Sequence, residues 1–313
     1  MHVYIAGGTG AIGRRLVPQL VARGHRVTAT TRDPRKIDLI EGLGAEAAVV
    51  DGLDSAAVGE SVAKAEPDAV VHQLTALSEK LDVKHFDRSF AMTNRLRTEG
   101  LDHLIAAAQA TGVPHVVTQS YTGWPNIRAG SWVKDEGDPL DPEPPKAQRE
   151  TLAAIRYLEE ATLKVDGTVL RYGGFYGDPS DPMVPVVRKR QFPLAGGGTG
   201  YMSWVHLDDA ASATVLALEK GADDPNKRGV FNIVDDEPAP ASEWLPHLAA
   251  CLGAKPPMRV PVWIARLAGG EVAVSMLTRT RGSSNARAKR VLGWEPRWPS
   301  WRQGFEDGLQ LEG

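Results

Sequence analysis

The first residues able to do chemistry are glycines. Gly7-Gly8-Thr9-Gly10-Ala11-Ile12-Gly13 follows the apolar run His2-Val3-Tyr4-Ile5-Ala6 and precedes a helical pattern, Arg14 to Arg23, stopped by Gly24. A strand, a glycine-rich turn and a helix N-terminus together make a pyrophosphate site. Backbone N–H groups approach the phosphates there, and the helix dipole favours their charge. Gly7 is expected to make the tight turn, Gly10 to let a ligand come close, and Gly13 to let the helix close on the strand. Thr9, Ala11 and Ile12 complete the expected contact. The spacing is Gly-x-x-Gly-x-x-Gly rather than Gly-x-Gly-x-x-Gly, and a tight turn without a ligand is the alternative reading.

The end of the second strand selects the dinucleotide. An acidic residue there accepts from the adenine ribose hydroxyls and favours NAD. This chain has Thr31 and then Arg32, with Arg35 and Lys36 close behind. A neutral residue followed by a guanidinium suits a ribose 2′-phosphate, so NADP is expected. A plain surface arginine is the alternative. Asp51-Gly52-Leu53-Asp54 ends the third strand, where a carboxylate can accept from the adenine amino group and Leu53 can line the ring; Asp51 could instead cap the next helix. Gln73, Leu74 and Thr75 end the fourth strand and are expected to line the nicotinamide ribose, whereas His72 reads as a packed strand residue.

These residues need a scaffold. Short apolar runs at Val27–Thr30, Ala45–Val50, Ala69–Leu74, His115–Thr118, Asp166–Arg171 and Gly229–Val234 follow the first strand, with helical segments between them, the clearest over Arg95–Ala110. Strands alternating with helices imply an α/β fold, a Rossmann-type doubly wound parallel sheet. Residues Glu237 to Gly313 differ: they lack strand alternation and carry helical patterns split by prolines. The polar, proline-rich stretch Pro125 to Lys146 reads as a loop, either a mobile flap on the site or an ordinary solvated loop. Trp294 to Trp301 reads as an aromatic-proline cluster docking the last helix.

The chain has 313 residues, 42% hydrophobic and 24% charged, with a net charge of −3. No basic field invites nucleic acid, and no apolar run is long enough to span a membrane. One cysteine, Cys251, allows no internal disulfide and suits a reducing cytoplasm. Eight histidines show no metal-ligand spacing, so no metal is expected. The expected partner is a small-molecule substrate, with a homodimer as the open oligomeric question.

The sequence resembles an extended short-chain dehydrogenase/reductase of the NAD(P)-dependent epimerase/dehydratase group. The resemblance rests on the glycine turn, Asp51-Gly52-Leu53-Asp54, Val70-Val71-His72 and Val116-Val117-Thr118-Gln119-Ser120. It continues through Val169-Leu170-Arg171-Tyr172-Gly173-Gly174-Phe175-Tyr176-Gly177, Trp204 to Ala210 and Ala288 to Trp294. It implies a dinucleotide domain over residues 1–172, completed by the strand near 229–234, and a smaller discontinuous C-terminal substrate domain over 173–228 and 235–313. It also implies a serine that orients the substrate oxygen, a tyrosine acid/base and a lysine that lowers the tyrosine pKa. Ser120 matches the serine. None of the six tyrosines has a lysine four positions on. Alignment on Glu159 and on Leu170-Arg171 puts Thr151 in the tyrosine place and Ile155 in the lysine place, so an atypical active site is expected. Alignment on Gly100 puts Arg97 in the place of the family asparagine, with Asn94 one turn earlier.

Tyr121, Tyr172 and Tyr176 are the candidate replacements for the acid, and Arg149 or Arg156 for the cation. Tyr172 matches a cofactor-facing position. For Tyr121, lining a pocket is the alternative role. The leading expectation is an NADP(H)-dependent oxidoreductase acting on a carbonyl or hydroxyl of a small, hydrophobic substrate. A non-catalytic NADP-binding sensor and a nucleotide-sugar epimerase or dehydratase are the alternatives. The basic run Val187 to Gln191 and Arg281-Gly282 give the last of these only weak support.

Overall fold

Seven parallel strands form one sheet in the computed structural model, which describes residues 1–76 and 82–309. They are β1 (His2–Ala6), β2 (Arg26–Thr31), β3 (Glu46–Val49), β4 (Ala69–His72), β5 (Val116–Tyr121), β6 (Thr168–Tyr172) and β7 (Gly229–Ile233). Their spatial order is β7-β6-β5-β4-β1-β2-β3. The order reverses between β1 and β4, and in such sheets that crevice at the strand C-termini receives the ligand.

The inner strands are apolar on both faces because helices cover both. The helices, in chain order, are α1 (Gly13–Ala22), α2 (Ile37–Gly42), α3 (Ser55–Ala65), α4 (Phe86–Arg95), α5 (Leu101–Thr111) and α6 (Arg149–Lys164), followed by α7 (Met183–Arg188), α8 (Leu207–Asp223), α9 (Ala241–Cys251), α10 (Val262–Thr278), α11 (Ala286–Leu292) and α12 (Trp301–Asp307). Val3, Ile5, Val27, Val71 and Leu170 point to the face covered by α1 and α8. Tyr4, Val70 and Val116 point to the face covered by α3 and α5.

Several boundaries differ from the sequence expectation. Strand β4 stops at His72, because Gln73 and Leu74 leave it to pass beneath the glycine turn. Strand β5 runs on to Tyr121, because Ser120 and Tyr121 pair in register with Arg171 and Tyr172. The helix expected from Arg95 starts at Phe86 and is interrupted by a π-turn over Leu96–Gly100. Helix α8 lies within the span expected for the smaller unit, yet it packs on the sheet, as do Ala288, Leu292 and Trp294. The remaining C-terminal residues build their own core around Trp204, Trp244, Leu248, Trp301 and Phe305.

The stretch Pro125 to Lys146 is not a free flap. Val133 and Lys134 pair with Gly282 and Ser283 as two short parallel strands. Asn126 Nδ2 donates to Ser283 Oγ (2.9 Å), Arg281 donates to the Arg128 carbonyl, and Glu136 accepts from Asn232 N at the edge of the sheet. Backbone pairing, one amide, one carbonyl and one carboxylate of the stretch pin it.

Beneath α6 runs a buried polar seam. Arg171 on β6 donates twice to Glu159 on α6 (2.8 and 2.6 Å), and Ser120 Oγ donates to Glu159 Oε1 at 2.7 Å. Removing one partner leaves the other charged and buried without compensation. Glu159→Ala is therefore expected to lower unfolding free energy by about 3–5 kcal/mol, measured by urea denaturation. A loss below about 1 kcal/mol, the ordinary value of an exposed pair, would show that the seam is not holding the helix.

Candidate functional site

The glycine turn closes over the end of β1 with three constraints. Gly7 adopts φ 101°, and a Cβ there would lie 2.7 Å from the Gln73 carbonyl oxygen. A Cβ at Gly8 would lie 2.6 Å from Ala29 Cβ, and one at Gly13 would lie 2.5 Å from the carbonyl oxygens of both Gly7 and Gly8. Gly13 thus brings α1 against the turn, and Gly8, a position sequence reasoning passed over, seats the turn on β2. Gly10 is different. A Cβ there would meet only Gly7 O, at 3.4 Å, and the residue is exposed. Nothing in the protein fills its space.

Helix α1 begins at Gly13 behind Ile12, with no side chain capping its first turn. Its dipole end and free backbone donors face the Gly10 opening, an arrangement that fits a pyrophosphate. Thr9 is half-buried and Ala11 exposed on the same turn.

At the end of β2, Thr31 is buried and its hydroxyl accepts from Asp33 N. Arg32 is exposed and unpaired among the described residues. Arg35 is not free: its guanidinium is held by both carboxylate oxygens of Asp33, each at 2.9 Å. That hydrogen bonding lowers the Asp33 pKa to about 2. At the end of β3, Asp51 is exposed and accepts from Leu53 N, while Asp54 is the residue that caps α3. Gly52 packs against Leu74, leaving Leu53 half-buried beside them. Thr75 is exposed at the rim.

Three expected contacts move elsewhere. The Gln73 side chain turns inward and donates to Tyr172 Oη (3.3 Å), so Gln73 meets the glycine turn through its backbone. Tyr172 is fully buried and its hydroxyl is hydrogen-bonded to Thr214 on α8 (2.6 Å). Burial pushes its pKa up to about 12. Tyr176 lies in the C-terminal core, edge-on to His206 and Phe305, with its hydroxyl buried and unpartnered, and burial drives its pKa far up. Neither tyrosine faces the groove, because successive residues past β6 enter packed cores rather than the rim.

Ser120 also faces inward, with its hydroxyl committed to Glu159. Thr151 is wholly buried between α6 and α4. Its Oγ1 donates to Asp87 (2.6 Å) and accepts from Asn94 Nδ2 (3.1 Å), while Asp87 also accepts from the Glu150 and Thr151 N–H groups. A carboxylate on α4 thus caps α6 across the helix pair. Ile155 is buried one turn further on. Arg156 donates to the Leu140 and Asp141 carbonyls, and Arg149 is exposed.

Tyr121 remains at the rim. It is half-buried at the end of β5, 6.5 Å from the Trp124 ring, which meets Phe86 edge-on at 5.2 Å. Burial without a nearby cation pushes its pKa up to about 12. The phenol therefore stays protonated at neutral pH: it can donate a hydrogen bond but not act as a base. His72 is sealed in the sheet, donates Nε2–H to the Leu96 carbonyl (2.9 Å) and has its pKa lowered by burial to about 4. It fits the packed strand residue expected. His206 is likewise structural, accepting from Asp208 N and donating to the Gly308 carbonyl. The basic residues Arg188 and Lys189 are solvent-exposed.

The profile of the NAD-dependent epimerase/dehydratase family matches residues 3–233. The chain belongs to this family. It is 41% identical, over 97% of its length and 99% of the relative's, to a Streptomyces 3-diazoavenalumate denitrifying reductase. It is 29% identical over 81% of its length, and 76% of the relative's, to a 2-alkyl-3-oxoalkanoate reductase from Stenotrophomonas maltophilia. Among solved structures, UDP-glucose 4-epimerase of Thermotoga maritima with UDP-glucose superposes with a TM-score of 0.75 at 20% identity, covering 99% of this chain and 98% of the other. A human epimerase family protein solved with NADPH superposes at 0.72 and 20% identity, covering 99% of each chain. The protein is an NAD(P)-dependent oxidoreductase, an enzyme of the reductase type. No helix among the described residues is long and apolar enough to cross a membrane.

The glycine geometry separates two roles by experiment. Gly10→Ala is expected to leave unfolding free energy within about 0.5 kcal/mol while weakening nicotinamide-dinucleotide binding at least about tenfold, read by titration calorimetry. Gly13→Ala is expected to cost about 2 kcal/mol or more of stability through overpacking. Equal binding by the Gly10 variant would remove the turn from the cofactor site.

Proposed function

We propose that this enzyme is an NADPH-dependent reductase whose hydride acceptor needs no general acid from α6, and that the acceptor is an aryl diazo or diazonium group. One observation carries the reading. Thr151 and Ile155, which we align with the family tyrosine and lysine, are both buried, Thr151 against Asp87 of α4. A phenol reaches neutral pKa only with a cation beside it, and Ile155 supplies none.

Bound in the groove, the reduced nicotinamide supplies a hydride. A carbonyl that accepts one becomes an alkoxide and demands a proton. An aryl diazonium ion that accepts one at its terminal nitrogen becomes a neutral aryl diazene. The diazene loses N2 and its hydrogen ends on the ring carbon: one hydride enters, one N2 leaves, and no net proton is consumed. The name of the 41%-identical relative joins a diazo substrate, loss of nitrogen and reduction. In this reading the chain's own residues bind, orient and exclude water. The half-buried rings of Phe90, Trp124 and Tyr121 offer an apolar aromatic rim for an aromatic substrate.

A second reading keeps a carbonyl substrate. Its support is Tyr121, a protonated phenol at the rim that can pass a proton to a developing alkoxide, together with the relatives named for oxo substrates. The two readings part in one assay. With a 3-diazo-4-hydroxybenzoate substrate and C4-deuterated NADPH, the diazo reading expects NADPH consumption equimolar with N2 release. It also expects slower turnover than with unlabelled NADPH, because the C4 hydrogen is the one transferred, and hydrogen at the vacated ring carbon drawn from the cofactor or, after exchange at the diazene N–H, from solvent. Turnover of ketones alone, abolished in Tyr121→Phe, would overturn it in favour of the second.

For the cofactor, Arg32 is the free guanidinium at the end of β2, while Arg35 is engaged by Asp33. We assign the 2′-phosphate to Arg32. Charge-assisted hydrogen bonds are worth roughly 1.5–3 kcal/mol, so Arg32→Ala should raise KM for NADPH by about tenfold or more. KM for NADH should move less than about twofold. An equal rise for both would refute the assignment.

A further inference from the structure

Among the described residues Arg97 is a buried cation without a partner. It lies in the π-turn between α4 and α5, is 7% exposed, and makes no hydrogen bond among the described residues. Its Nη1 is sealed from solvent and unsatisfied. Glu159 is the carboxylate that attracts it, but that carboxylate is already filled by two bonds from Arg171 and one from Ser120. Native structures seldom leave a buried charge this way, because its desolvation goes unrepaid. Where they do, an absent partner is the first explanation to test.

The surroundings say what kind of partner. The guanidinium lies 5.9 Å from the centre of the Phe90 ring. Phe90 stacks on Phe86 at 4.5 Å, Phe86 meets Trp124 at 5.2 Å, and Trp124 is followed by Tyr121 at 6.5 Å. A string of rings thus runs from Arg97 to the C-terminal end of β5, on the ligand edge of the sheet. An aromatic rim ending in a forked cation is complementary to an aromatic ring bearing a planar anion. The π-turn places the cation: the extra residue it inserts into the helix lets the Leu96 carbonyl accept from His72 and turns position 97 inward. Burial lowers the Arg97 pKa to about 10, which leaves it charged at neutral pH.

We propose that Arg97 is a substrate-recognition residue that binds the carboxylate or phenolate oxygen of an aromatic substrate lying against the half-buried rings of Phe90, Trp124 and Tyr121. This does not depend on which group accepts the hydride. The same anion would be held on a diazo or a carbonyl compound.

The test uses NADPH-loaded protein and two probes of equal shape, benzoate and neutral benzamide, titrated by calorimetry. Benzoate is expected to bind at least tenfold more tightly than benzamide. Arg97→Met should erase that difference, Arg97→Lys should keep part of it, and NADPH affinity should be unchanged in both. The melting temperature of Arg97→Met should stay level or rise, because an unpaired buried charge is gone. A benzoate preference that survives in Arg97→Met would overturn the proposal. So would a lowered melting temperature in that variant, which would mark a structural role, or a weakened NADPH affinity with benzoate binding intact, which would assign the cation to the cofactor.

Discussion

The buried Glu159–Arg171 pair decides what the rest of the site can be. Each charge is tolerated in the core only because the other is there, so α6 can neither slide nor rotate against β6 without exposing both. That fixes the face α6 turns inward. Ile155 lies four residues before Glu159 and Thr151 eight before it, so all three share one side of the helix. Asp87 then locks the N-terminal end of α6 to α4. The same pair takes up the Ser120 hydroxyl. One electrostatic constraint therefore commits the helix, the strand-end serine and the buried Thr151 and Ile155.

Much of the scaffold is legible in the sequence because its signals are local. The alternation of apolar runs and helical patterns gives a parallel sheet, and the strand–turn–helix at Gly7 to Gly13 gives the ligand crevice. Sterics of single residues also read well: Gly7 and Gly13 need to be glycine for the reasons their positions suggest. What is not legible depends on a partner distant in sequence. Arg35 reads as a phosphate ligand until Asp33 is seen holding it. The polar stretch between Pro125 and Lys146 reads as solvated until Arg281, Ser283 and Asn232 are seen bonding to the Arg128 carbonyl, Asn126 and Glu136.

The tyrosines show the same limit. Tyr121 and Tyr172 pair in register on adjacent strands, and nothing local distinguishes them. Helix α8 makes the distinction, by covering Tyr172 with Thr214 and leaving the end of β5 open to the aromatic rim. The π-turn at Leu96–Gly100 has no sequence signature either. It is an insertion in a continuous helical pattern, visible only as the inward turn of Arg97 and the bond from His72.

Binding a nicotinamide and using it are separable demands. The hydride requires only a cradle that holds the cofactor and a surface that holds the acceptor close to it. Acid/base groups are required by the acceptor, in proportion to the charge it develops. In the proposed reading, with Thr151 and Ile155 at the acid/base positions, hydride transfer is still supported provided the acceptor starts electron-poor and ends neutral. The protonated Tyr121 fits that division. With its pKa pushed up to about 12 it can donate to an electron-rich atom but cannot remove a proton from an alcohol at neutral pH. Both features favour reduction over oxidation, and they do so through burial rather than through any group tuned to titrate.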